Sequence, residues 1–249
     1  MAREKKIVNI TKDDEKSNEI YGKDASGKII KLEDQGDPKK RATIKRVLAV
    51  VFWVIAIIFE AIGILRLNDV INLFPNLSDA AFLIICIILD LIFFIPGSLL
   101  WKKANHIDPA SEKNKIKFWI VNNLGVILSV LAFLPIIIFV LANKDMDKKS
   151  KAIVSVVAVV ALLIAGVSSY DFNPVSSEQL ERAEQEVMNV SDSGLVYWAP
   201  HSKKYHVDPD CSAFSQSETV YEGTVKQAFE RGLTDPCRKC IPELEHEEE

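Results

Sequence analysis

Cysteine is scarce in this chain: four among 249 residues, too few for a disulfide scaffold. The first 46 residues have no apolar core followed by a small-residue cleavage site. No cleavable signal peptide is therefore expected, and the first apolar block is expected to act as an uncleaved signal anchor. The same 46 residues hold thirteen Lys or Arg against nine Asp or Glu and few large apolar side chains, so they cannot bury a core of their own. No helical His-Glu-x-x-His pair and no nucleophile-base pair is visible, which argues against hydrolytic metal chemistry and against an enzyme. Lys and Arg are absent from the four apolar blocks between Val47 and Val167. From Ser169 onward it is basic charge that is short, with seven basic residues against seventeen acidic ones.

What is present is apolar sequence concentrated in four blocks. Hydrophobic residues make up 49% of the chain, and each block approaches the roughly 20 helical residues needed to cross a hydrocarbon core of about 30 Å. The expected spans are 47–65, 80–101, 118–142 and 152–167. The fold class predicted is an α-helical membrane protein with four transmembrane helices and a small α+β zinc-binding C-terminal domain. Pro96-Gly97 predicts a kink near the end of the second span, and Trp101 fits an interfacial aromatic belt. Val70, Ile71, Leu73 and Phe74 in the first connection suggest a piece lying at the interface. In the fourth span Ser155, Ala158, Ala161 and Ala165 form one small-residue face suited to close helix packing. The segment 1–46 reads as a polar tail in which 19–23 and 28–32 form a hairpin around Ala25-Ser26-Gly27.

Basic residues at the span ends set the expected orientation. With the N-terminus in the cytoplasm, ten flank the inner ends and five the outer ends; the flipped topology reverses the ratio. Four crossings place the C-terminal domain in the cytoplasm as well, at the cell membrane. Its export would require one block not to cross, and the third, polar at Asn122 and Asn123, is the block open to that reading.

Beyond the spans, 169–193 reads as an acidic linker helix whose start has a capping-box pattern, Ser176 with Gln179 three residues on. The segment 194–242 then carries His206-x4-Cys211-x25-Cys237-x2-Cys240. Two close pairs of soft or borderline ligands, far apart in sequence, let two tight turns clamp one tetrahedral ion. Asp-Pro-Asp before Cys211 and Asp-Pro before Cys237 supply turn chemistry at both knuckles. A lone Cys-x-x-Cys could be a redox pair, but the strand-helix context for that is missing. Four protein ligands close the coordination sphere, so structural Zn2+ is expected rather than catalytic zinc, with His201 a spare candidate in a hairpin turn. Val196–Trp198 and Lys203–His206 read as a hairpin, Thr219–Tyr221 as a third strand, and Thr224 with Gln227 as the cap of a helix ending at Gly232. The candidate core of Val196, Trp198, Tyr205, Phe214, Val220, Val225, Phe229 and Leu233 is thin, so folding and zinc binding are expected to be one event. The closing 243–249 reads as an acidic tail.

The run Val-Tyr-Trp, Lys-Tyr-His, Cys211, a short helix and Pro-Cys-x-x-Cys resembles the Ada-type metal-binding domain, named after the zinc-bearing part of a bacterial DNA alkylation-repair protein. The likeness covers about a fifth of the chain. His206 stands where that protein has its first cysteine, as in the small accessory copies of the domain found on unrelated bacterial proteins. The resemblance implies the fold and the zinc, not the methyl-accepting chemistry. Nucleic acid is not an expected partner, because ten net negative charges, and one more from three thiolates around Zn2+, oppose phosphate. The partners expected are the lipid bilayer and a protein contact through the zinc domain.

Asp90 falls in mid-span with no cation in any span to pair with it, and an intramembrane ionisable residue is a functional-site hypothesis by default. It reads either as helix glue, hydrogen-bonded to Asn122 or Asn123, or as a proton- or cation-handling group. Glu60 is expected to reach the interface from the outer end of span one. The leading functional reading is a non-enzymatic bacterial membrane protein whose zinc domain mediates an interaction or senses metal or redox state. The alternative is a small transporter or channel accessory subunit using Asp90, with the zinc domain regulatory.

Overall fold

The structure, a computed structural model, describes residues 6–9, 20–23, 29–32, 37–191, 193–214, 217 and 219–241. The chain divides into two compact units: 42–105 with 115–172, and 1–41 with 106–114 and 173–249.

The first of these is helical. Its elements are α1 (Pro38–Leu67), α2 (Asp79–Ile107), α3 (Lys115–Ala142) and α4 (Lys148–Ser169), each long and apolar enough to cross a membrane. All four extend beyond the apolar spans expected from sequence, because helical hydrogen bonding continues through the polar flanks where hydropathy fades. At 1.5 Å per residue even α4, with 22 residues, reaches about 33 Å. Helix α3 is the most apolar of the four, so the block open to a non-crossing reading is the one best suited to lipid. α2 runs through Pro96 to Ile107 as one helix. Asp147 caps α4, its side chain accepting from the Lys149 and Ser150 amides.

Apolar side chains point outward as well as inward. Val50, Val54 and Ile57 on α1, Ile88 and Ile92 on α2, Leu131 and Ile138 on α3, and Val156 and Leu163 on α4 are all exposed. Helices apolar on every face suit a hydrocarbon surrounding rather than water. Between them, α1 and α2 pack antiparallel. A Cβ placed on Gly63 would lie 3.4 Å from Cys86 Cβ, and one on Gly97 would lie 2.9 Å from Trp53 Cδ1. Trp53 stacks near Phe94 and Trp101 at centroid distances of 6.2 and 5.4 Å, and its Nε1 donates to Ser98 Oγ. α3 and α4 are antiparallel too, with Gly125 against Ser169 and Gly166 nearest Ser129. On α4 the buried face is Val154, Ala158, Ala161, Ala165 and Ser169; Ser155, expected within it, is only partly covered.

Arg66, one residue beyond the expected first span 47–65, lies inside α1 and is buried. Its guanidinium donates to Asp79 Oδ1, Phe74 O and Leu77 O and sits 4.6 Å from the Phe82 ring centre. One arginine thereby closes the α1–α2 turn and satisfies carbonyls that a tight turn would leave bare.

In the other unit, β4 (Leu195–Trp198) pairs antiparallel with β6 (Thr219–Thr224), and β1 (Lys6–Asn9) adds parallel to the far side of β6. That parallel strand corrects the reading of 1–46 as a polar tail with at most a hairpin. Tail residues with too few apolar side chains to fold alone can still complete a sheet whose core is supplied elsewhere. The expected hairpin forms, as β2 (Ile20–Lys23) and β3 (Ile29–Leu32); the acidic tail 243–249 lies outside the described residues. Two short strands, β5 (Lys204–Tyr205) and β7 (Asp235–Pro236), pair in parallel.

α5 (Ser177–Val190) is more than a charged linker. It begins at the Ser176 cap, whose side chain accepts from the Gln179 amide. Leu180, Ala183 and Val187, spaced three and four apart on one face, pack into a core with Val175, Val196, Trp198, Tyr205, Val225, Phe229 and Leu233. The core is thus larger than the residues of 194–242 alone suggest.

Glu178 ties α5 to the segment 106–114. Its carboxylate accepts from the Ser111 hydroxyl and, at 2.9 Å, from the Glu112 amide. The Ser111 bond first, then the Glu112 amide, holds the Glu178 carboxyl down at about 2, against an ordinary 4.5. A carboxyl lowered on folding contributes above its unfolded value and loses that contribution as pH falls through the folded one. Between about pH 4.5 and 2 the tie is expected to release, read as faster amide exchange at 111–113 after correction for intrinsic rates. Glu178→Gln should produce the same acceleration at neutral pH.

Candidate metal centre

β5 delivers His206 just past its end, and the Tyr197 and His206 backbones bond in both directions, at 2.7 and 2.8 Å. This is the expected hairpin contact, although β4 and β5 each find their longer pairing elsewhere. Cys211 follows an Asp208 turn in which its amide donates to Asp208 O. Cys237 follows β7 and donates its amide to Tyr205 O, which locks the second knuckle beside His206. The amides of Cys240 and Ile241 both return to Cys237 O, each at 2.9 Å, so Cys237-Arg238-Lys239-Cys240 forms a tight turn.

These turns bring His206, Cys211, Cys237 and Cys240 together, with one ligand atom from each within 4.8 Å of all the others. The first three are buried and Cys240 is partly covered. Cys211 and Cys237 sulfurs stand 4.0 Å apart, twice the length of a disulfide bond at about 2.05 Å. A tetrahedral ion with metal-sulfur bonds of about 2.3 Å would hold two sulfurs about 3.8 Å apart and sulfur and nitrogen about 3.6 Å apart. The observed Cys240 Sγ to His206 Nδ1 separation is 3.7 Å. The donor set and its spacing fit a closed, four-ligand metal site. His201, the spare candidate, lies in the turn at 199–202 and is exposed, outside the cluster.

The thiols are not equivalent. Burial pushes the Cys240 thiol up to about 11. Burial opposes ionisation of Cys237 as well, but the amides of Lys239 and Cys240 and the neighbouring thiols outweigh it and leave Cys237 below its ordinary value. Around the ligands, Ala199, Val220 and Tyr197 form an apolar wall, while α6 (Val225–Glu230) stands on a complete capping box between Thr224 and Gln227. α6 stops where Gly232 takes a left-handed φ of 78°, the conformation a glycine adopts without a Cβ penalty. The Phe214 side chain, expected in the core, lies outside the described side chains.

Asp90 is buried in the middle of α2, but not with the partners expected. Asn122 Nδ2 donates to Phe118 O and its Oδ1 faces Asn105, while Asn123 Nδ2 donates to Trp119 O. Both asparagines serve the Asn105 end of the helices, three to four turns from Asp90. The α1–α2 register set by Gly63 against Cys86 and Gly97 against Trp53 puts Glu60 at the level of Asp90, and Glu60 is buried rather than at the interface. The signal for this was present: Glu60 continues the series Ala49, Trp53, Ala56, Gly63 at three- and four-residue steps, the packed seam of α1.

Comparison of the chain with protein-family models, with curated proteins and with solved structures finds no match. Fold and site therefore define the class directly: a mostly helical protein with four helices able to cross a membrane and a small C-terminal segment of short strands holding a Cys/His cluster that could bind a metal ion.

Proposed function

We propose that this chain is an integral membrane protein of the cell membrane whose C-terminal unit, stabilised by structural zinc, serves as a cytoplasmic interaction or sensing module. The observation that carries this is the closed ligand set of His206, Cys211, Cys237 and Cys240, which leaves no open position for a substrate or water. What the ion holds in place is a contact surface: the 197–206 hairpin and the outer face of α6. The Ada-type resemblance of 196–240 supports a metal module of this kind. The acidic balance of the C-terminal third favours a protein partner over nucleic acid. Four crossings with the basic flanks inside support the cytoplasmic side, where thiols remain reduced and available to the metal.

Purified full-length protein is expected to carry about one zinc per chain, a content that His206→Ala or Cys237→Ser removes. A folded, metal-free parent protein overturns the zinc assignment. A Lys226→Cys variant should react with a membrane-impermeant thiol reagent only after intact cells are opened. Labelling in intact cells would place the module outside. A photoreactive group at the same position should form adducts that disappear in Cys237→Ser; identical adducts in both would dissociate the contact from the metal.

A further inference from the structure

Two carboxylates occupy the packed seam between α1 and α2. Gly63 against Cys86 and Trp53 against Gly97 mark two points of one antiparallel register, and at the level between them Glu60 stands opposite Asp90. Both belong to the buried faces of their helices, at 6% and 2% exposure. Phe59 and Phe93, stacked at 5.6 Å between centroids, flank the pair on the outer side.

Among the described residues, Glu60 Oε1 and Asp90 Oδ1 have no hydrogen-bond partner. Two full negative charges so placed would repel each other in a medium that cannot solvate them. The nearest other titratable groups are on the same two helices. Arg66, about two turns along α1, is committed to Asp79, Phe74 O and Leu77 O, and Cys86 lies one turn away on α2. α3 from Phe118 to Ala142 and α4 from Ala152 to Ser169 carry no titratable side chain. Among the described residues, no cation stands beside the pair to neutralise it. A bound calcium ion takes about six to eight oxygens, and two carboxylates supply four. A proton needs one lone pair on each side.

We propose that Glu60 and Asp90 form a proton-binding pair within the helical bundle, one carboxyl holding a proton that the other accepts. The proton is taken from water and returned to it, with no other bond made or broken. This site is separate from the metal centre and does not depend on the zinc reading.

The test uses the full-length chain in lipid vesicles and an apolar carbodiimide, which adds to protonated carboxyls shielded from water. Mass spectrometry locates the adduct. Labelling should appear on Glu60 or Asp90 but not on both in one chain, and should fall about tenfold across the two pH units centred on its midpoint. In Asp90→Asn all label should move to Glu60, with the midpoint displaced by about a unit or more once the neighbouring charge is gone. Glu60→Gln should do the converse at Asp90. Both variants keep the shape of the side chain, and circular dichroism checks that each remains folded. Absence of label, double labelling, or single variants with an unmoved midpoint would each overturn the proposal. Protection by added sodium or magnesium at constant pH would overturn it in favour of a cation site.

Discussion

Cys237→Ser is expected to unfold the metal-binding unit while the four long helices stay intact. The cysteine sits where three constraints meet: its thiol is buried in the Cys/His cluster that could hold a metal ion, its amide holds Tyr205 O, and its carbonyl receives the Cys240 and Ile241 amides. Structural zinc sites in small domains bind with an apparent free energy of about 10–16 kcal/mol, which equals or exceeds the roughly 5–15 kcal/mol that stabilises a typical domain. Removing one thiolate leaves three donors and a buried hydroxyl, and the two knuckles lose what joins them. Backbone amide exchange in the full-length protein provides the measurement. In the variant, and in the parent treated with a chelator, 204–211 and 233–241 should exchange at nearly unprotected rates, while 42–105 and 115–169 keep their protection. Equal protection of both knuckles in parent and variant would show that the apolar core alone suffices. That outcome is a real competitor, because Leu180, Ala183 and Val187 enlarge the core beyond what 194–242 contains. Tyr205, Leu233 and Ile241 decide between them, since all three belong to that core yet lie on the segments that carry the candidate ligands.

Gly97→Ala is expected to weaken the bundle by about 1–3 kcal/mol, the cost of overpacking a well-filled interior. On helix propensity alone the change would stabilise by up to about 1 kcal/mol, so the sign of the effect is informative. An added Cβ would lie 2.9 Å from Trp53 Cδ1 and 3.1 Å from Ala49 O. The indole cannot retreat easily, being held by Ser98 and by the Phe94 and Trp101 rings, and the Ala49 carbonyl is helix backbone. Gly166→Ala is the control, because there the nearest atom is Ser129 Oγ at 3.7 Å, an ordinary contact. Thermal unfolding in one detergent should show Gly97→Ala below the parent and Gly166→Ala at or above it. Two variants displaced equally would mean that the α1–α2 approach is not close in the folded protein.

Much of this was legible along the chain because it is local. Four apolar blocks announce four helices, since each is decided by twenty neighbouring residues and the energetic need to satisfy backbone groups without water. The caps at Ser176 and Thr224 were legible for the same reason: a side chain reaching an amide three residues on needs no tertiary partner. The Cys/His cluster was legible because a tetrahedral ion would impose ligand type and spacing, and turn-forming residues mark both knuckles. The readings that changed are all non-local. Glu60 was placed at the interface by its distance along the helix, whereas rotation about the helix axis turns it inward. Asp90 was matched with the polar residues nearest in character, Asn122 and Asn123, which are spoken for at the other end of the bundle. Arg66, just past the expected end of the first span, is drawn into α1 by the turn it closes.

By itself, then, the sequence determined the number of long helices, their caps and the four metal-ligand candidates, because periodicity, hydropathy and ligand chemistry act over short stretches. Only the tertiary structure decided that Glu60 faces Asp90, that α5 belongs to a core, and that Lys6–Asn9 completes a sheet with Thr219–Thr224. Those facts depend on which faces meet, and the meeting is set by packing: small residues at Gly63 and Gly97 let α1 and α2 approach in one register, and that register carries the two carboxylates together.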